Sequence, residues 1–123
     1  MERDSAVILV VEDEVLIRMD VVEQLERLGY ELEEAANCDQ ALVVLAGEKP
    51  IDILFTDVDM PGELDGLELA RRVSLAHPEM GIIITSGKSL EGKGPMPLGS
   101  VYFPKPYASG DLNGAIQRLL GRS

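Results

Sequence analysis

The sequence predicts an α/β domain: a doubly wound, five-stranded parallel sheet with helices on both faces. Two observations carry this. Short apolar runs alternate with amphipathic stretches along the chain, which is the pattern of βα units. Several of those runs, such as residues 6–11 (AVILVV) and 53–55 (ILF), are apolar at every position, as strands buried on both faces require. A chain of 123 residues, 46% of them apolar, is long enough for one core, and no linker or repeat divides it.

Each element follows in order. Residues 6–11 form the first strand and end on the acidic pair Glu12-Asp13. Over 14–28, Val15, Met19, Val22, Leu25 and Leu28 recur at helical spacing until Gly29 stops the run. A second strand spans about 30–36. Asn37 N-caps a helix through Ala41, Leu42 and Leu45, closed by Gly47. The third strand, 51–57, drives Ile53, Leu54 and Phe55 up to Asp57, and Pro61-Gly62 then breaks the chain. A helix over 67–77 buries Leu69, Ala70 and Val73 before Pro78 ends it.

Residues 82–86 and 101–103 (VYF) supply strands four and five. Leu112, Ala115, Ile116, Leu119 and Leu120 make the apolar stripe of the last helix. The rhythm fails once. Where a further helix belongs stands GKSLEGKGPMPLGS, residues 87–100, with four glycines, two prolines and only Leu90, Met96 and Leu98 apolar. That composition predicts either one helical turn over 89–92 or a mobile loop.

Composition excludes several functions. The net charge of −11 repels nucleic-acid phosphates, and there is no basic stripe. No apolar run approaches the ~20 residues of a membrane span, and the N-terminus has no secretory layout, so a cytoplasmic location without membrane insertion is expected. Cys38 is the single cysteine, which leaves neither an internal disulfide nor a thiolate cage. His77 is the single histidine; without partners for a Ser-His-Asp arrangement it reads as a surface residue.

Parallel strands deliver their carboxyl ends to one edge, where ligands bind in open α/β sheets. Glu12 and Asp13 follow strand one, Asp57 ends strand three, Thr85 and Ser86 end strand four, and Lys105 follows strand five. In a flavodoxin-like order, 2-1-3-4-5, strands one and three are neighbours and three carboxylates cluster. Their repulsion is relieved by a hard divalent cation, and magnesium favours one or two carboxylates plus water. With Lys105 opposite, the edge is a cradle for a phosphoryl group. Plainer readings stand beside this one: Glu12-Asp13 capping the first helix, Tyr102 as strand filler and Lys105 as a solvated loop lysine.

The motifs together resemble the receiver domain of bacterial two-component response regulators, over essentially the full chain. They are Glu12-Asp13, Asp57 with Met60-Pro61, Asp65-Gly66 opening a helix, the hydroxyl-Gly pair Ser86-Gly87, Tyr102 and Lys105-Pro106. The resemblance implies that Asp57 is the phosphoacceptor. It implies magnesium held by Asp13 and Asp57, with Glu12 direct or through water and the backbone carbonyl of Asp59 as a further ligand. Lys105 and a strand-four hydroxyl then contact the phosphoryl oxygens. Ser86 is the expected switch hydroxyl, with Thr85 the alternative after a one-residue slip, and Tyr102 matches the switch aromatic. In that frame Lys88 and Asp59 pair across the mouth and slow water's attack. The phosphoryl group would come from a sensor histidine kinase or a histidine phosphotransfer protein.

Residues 87–100 depart from the family, resembling an atypical branch with a weak fourth helix, and the loop after Met60-Pro61 has one extra residue at Gly62-Glu63-Leu64. The expectation is a single receiver domain over 1–123 without an output domain, which binds a target protein or acts as a phosphate sink. Its turnover is limited to self-phosphorylation and autodephosphorylation. A degenerate, phosphorylation-independent binding module is the alternative. Asp57-Val58-Asp59 also resembles the nucleophile motif of haloacid-dehalogenase-type phosphatases, but no later acidic pair follows it.

Overall fold

A computed structural model describes residues 5–60 and 64–121. The Pro61-Gly62 break and the extra residue expected in the loop that follows lie outside them. The elements run β1 (Val7–Val11), α1 (Val15–Arg27), β2 (Glu31–Ala35), α2 (Cys38–Ala46), β3 (Ile53–Asp57), α3 (Gly66–Ala76), β4 (Gly81–Ser86), β5 (Val101–Pro104) and α4 (Ser109–Leu119). The five strands pair in parallel in the order β2-β1-β3-β4-β5, as expected. Among the described residues no helix is long and apolar enough to cross a membrane.

Side chains alternate along a strand, so two cores form, one on each face of the sheet. Leu9, Val11, Leu54, Ile82 and Ile84 meet Cys38 and Ala41 of α2 and Leu67, Ala70 and Val73 of α3. Ile8, Val10, Ile53, Phe55 and Ile83 meet Val21, Val22 and Leu25 of α1 and Leu112 and Ile116 of α4. Burying each large aliphatic side chain contributes about 1.5–3 kcal/mol, and this fixes both the sheet and its register. Strands β1 and β3 are buried at every residue, while β2 (ELEEA) and β5 lie at the edges and keep partial exposure.

Helix ends are set locally. The Asn37 side chain accepts from the Gln40 N–H at 2.8 Å, and Asp65 accepts from the Glu68 N–H at 2.9 Å. Gly29, with φ of 95°, lets the chain leave α1.

Register brings the strand ends level. Val11 pairs with Thr56, Asp57 with Thr85, and Ser86 with Pro104. The ladder runs one residue further at three places: Glu12 N–H donates to Ala35, Val58 N–H to Thr85 and Lys105 N–H to Ser86, at 2.9–3.1 Å. Each chemical group at this edge therefore hangs from a fixed backbone.

Residues 87–100 contain no helical turn; the chain makes short turns closed by Lys93 N–H to Leu90 and Ser100 N–H to Pro97. Positive φ at Gly92, Gly94 and Gly99, with Pro95 and Pro97 between, excludes a helix. The loop is tied to α3. Arg71 donates to the carbonyls of Lys93 and Pro95 at 2.5 and 3.0 Å, and Lys93 pairs with Asp65 at 3.4 Å.

Candidate functional site

Asp57 closes β3 and is 4% exposed. Lys105, just past β5, places its ammonium 3.5 Å from the Asp57 carboxylate and 3.2 Å from that of Glu12. Glu12, 3% exposed, also accepts from the Glu14 N–H at 3.1 Å, so it helps cap α1 while facing the site. Glu12, Asp13 and Asp57 each present a carboxylate oxygen within 4.8 Å of the others. The expected convergence of acids and amine is present.

The electrostatics are unbalanced. Burial pushes the Asp57 carboxyl above its ordinary range; Lys105 and the Asp59 N–H, 3.4 Å from Oδ1, only partly offset this. Glu12 is likewise raised, first by burial and then by the Asp57 charge, against the pull of the Glu14 N–H and Lys105. Burial alone would lower the Lys105 pKa, but the two carboxylates more than reverse it, so it stays an ammonium at neutral pH. Three carboxylates facing one ammonium leave two negative charges over. That donor set suits a hard divalent cation, which would supply the missing charge.

The two candidate hydroxyls part. Thr85 is buried and its Oγ1 donates to the Phe103 carbonyl at 2.8 Å, committing it to β5. Ser86 is the hydroxyl at the carboxylates: its Oγ donates to Asp59 Oδ2 at 2.6 Å. The Ser86 Oγ also lies 3.0 Å from both the N and the O of Lys88. The Lys88–Asp59 pair expected across the mouth is not among the ion pairs of the described residues; the Asp59 carboxylate accepts from Ser86 instead. The Asp59 side chain stands outside the three-carboxylate group.

Tyr102 pairs with Ile84 in the sheet and packs, half-buried, against the α2–α3 core, on the face that also carries Ile82 and Ile84. His77 caps the end of α3 and lines an apolar groove of about 230 Å³ with Leu42, Leu45 and Val73. It is not part of the edge constellation.

Of two further site-building residues, Arg18 carries no sequence signal and Gly66 is legible only as part of a helix opening. Arg18 of α1 donates to the Glu12 carbonyl at 2.7 Å and pairs with Glu34 of β2 at 3.1 Å, which steadies the acidic pair from behind. Gly66 lies against the end of β3 so closely that a Cβ there would sit 1.7 Å from the Asp57 carbonyl oxygen.

A parallel 2-1-3-4-5 sheet with acids, an amine and a hydroxyl at the carboxyl edge defines the receiver class. The response regulator receiver domain model matches residues 8–117, and the chain belongs to that family. Over 94% of its length it is 35% identical to sensor kinase CckA of Brucella abortus, of which it spans 13%. It is 34% identical to the response regulator receiver protein CpdR of the same organism, aligning 92% of this chain with 95% of that one. Among solved structures, response regulator TrrA of Thermotoga maritima, in complex with Mg(2+)-BeF, superposes with a TM-score of 0.81 at 29% identity, over 93% of this chain and 98% of that one.

Proposed function

We propose that this receiver domain accepts a phosphoryl group on Asp57 from a phosphohistidine of a sensor kinase or phosphotransfer protein, and passes the signal on by binding a target or by draining the kinase. The observation that carries this reading is the buried Asp57 carboxylate held between the Lys105 ammonium and the Glu12-Asp13 pair.

In the transfer, an Asp57 oxygen attacks phosphorus as the P–N bond to the donor imidazole breaks, and an acyl phosphate results. Such transfer is mostly positioning and charge stabilisation. Lys105 neutralises one phosphoryl oxygen and remains protonated throughout. Ser86 donates its hydroxyl to another. Burial excludes bulk water around the carboxylate, and Arg18 holds the backbone that carries the acidic pair. Glu12, Asp13 and Asp57 would hold magnesium, joined by the Asp59 backbone carbonyl; when bound it would offset the charge shared by carboxylates and phosphate. The complex of TrrA with Mg(2+)-BeF and the likeness to a kinase-associated sequence support the reading. Tyr102, on the Ser86 side of the sheet, is the aromatic that would follow the hydroxyl.

The test is incubation with phosphoramidate and magnesium, followed by intact mass. One added phosphoryl group, absent in Asp57→Asn and in Lys105→Ala reduced at least about tenfold, is the expected result. A chain that takes up none is instead a phosphorylation-independent binding module.

A further inference from the structure

Ser86 has one hydroxyl proton, and that proton already has a taker. At 2.6 Å the bond to Asp59 Oδ2 has the length of a charge-assisted O–H···O⁻ contact. The same oxygen accepts from the Lys88 N–H at 3.0 Å, and the Lys88 carbonyl, also at 3.0 Å, is the longer and uncharged of the two acceptors open to the proton. Ser86 is 1% exposed, so water does not offer the hydroxyl an easy exchange of partners. A proton committed to Asp59 cannot also be given to a phosphoryl oxygen on Asp57.

We propose that the Asp59 carboxylate is a positioning residue that restrains the Ser86 hydroxyl, so that phosphoryl transfer to Asp57 waits for this hydroxyl to change partners. The inference rests on the phosphoacceptor reading above and adds a restraint to it. No covalent bond changes at Asp59: the Ser86 O–H leaves the carboxylate for the phosphoryl oxygen. Because Ser86 also holds Lys88, the exchange pulls on the first peptide of loop 87–100.

The alternative is that Asp59 acts only as a negative charge near Asp57. A double-mutant cycle separates the two. Initial rates of uptake from phosphoramidate with magnesium are compared for the wild type, Asp59→Ala, Asp59→Asn, Ser86→Ala and Asp59→Ala/Ser86→Ala, with folding checked by thermal unfolding. Asp59→Ala should speed uptake about tenfold, and Asp59→Asn less, since its amide oxygen still accepts from Ser86. In the Ser86→Ala background the Asp59→Ala gain should shrink to less than about twofold. An equal gain with and without Ser86 would assign the effect to charge and overturn the proposal. A second readout follows the Lys88 amide, whose exchange should quicken when beryllofluoride and magnesium load the wild type; unchanged exchange under loading also counts against it. Uptake that ignores Ser86 removes this inference alone, whereas no uptake in any variant removes the phosphoacceptor reading and this with it.

Discussion

At Gly66 a hydrogen atom stands where any other residue would force a carbon to within 1.7 Å of the Asp57 carbonyl oxygen. The contact is with backbone, so no side chain can turn aside. Gly66→Ala should cost about 3 kcal/mol or more of stability in urea denaturation, and should displace the strand end that carries Asp57. The sequence shows Asp65-Gly66 as a helix opening, but nothing in it says that the end of a strand nine residues earlier presses on that glycine. The same holds for Arg18. Its role arises because α1 turns this side chain back under the Glu12 carbonyl, a relation set by helix phase and packing rather than by a motif. Asp57, Asp13, Glu12 and Lys105, by contrast, are legible at once, since each directly follows or ends an apolar strand. The preference for Ser86 over Thr85 rests on the family's frame and strand alternation, with a one-residue slip left open; the folded chain turns Ser86 to Asp59 and Thr85 to the Phe103 carbonyl.

Among the elements, the apolar strands and the capped helices follow their local patterns closely, and boundaries differ by a residue or two where ends fray. The stretch 87–100 is different because its sequence names two outcomes and the tertiary contacts choose. Arg71 fixes it by donating to two of its carbonyls, and a Glu68 carboxylate at 3.3 Å steadies the guanidinium. These contacts are partly exposed, so their worth is local. Arg71→Ala should change global stability by less than about 1 kcal/mol. Yet limited trypsin digestion after Lys88 and Lys93 should run about fivefold faster, because the loop opens more often without its tie. Unchanged cleavage would mean that the prolines and turns alone hold the segment.

For the molecule as a whole, charge dominates. A net −11 and an edge with excess carboxylate both favour a bound cation. Magnesium should therefore raise the melting temperature, by the equivalent of about 2.7 kcal/mol at a concentration a hundred times Kd, and Asp13→Asn should abolish most of the gain. Without magnesium, pH acts through Asp57 and Glu12, whose folded pKa values lie above the ordinary 3.8 and 4.5. Between the ordinary and the raised values the folded chain binds more protons than the unfolded one. The contribution of these two groups to stability thus falls as pH rises through that window. Lys105 is raised as well; its contribution is fully present below 10.5 and is lost only above, so it does not alter this trend near neutrality. Asp57→Asn should accordingly stabilise the metal-free protein by about 1 kcal/mol at neutral pH, a gain that vanishes below about pH 4. Denaturation curves at the two pH values check both the sign and the window.

The contact between the Ser86 hydroxyl and loop 87–100 runs through the peptide N and O of Lys88, not through its side chain. Peptide groups are common to nearly every amino acid, so the spelling of the loop from Ser89 onward carries little chemical duty. Substitutions from Ser89 onward should therefore leave the Ser86 hydroxyl with its partners.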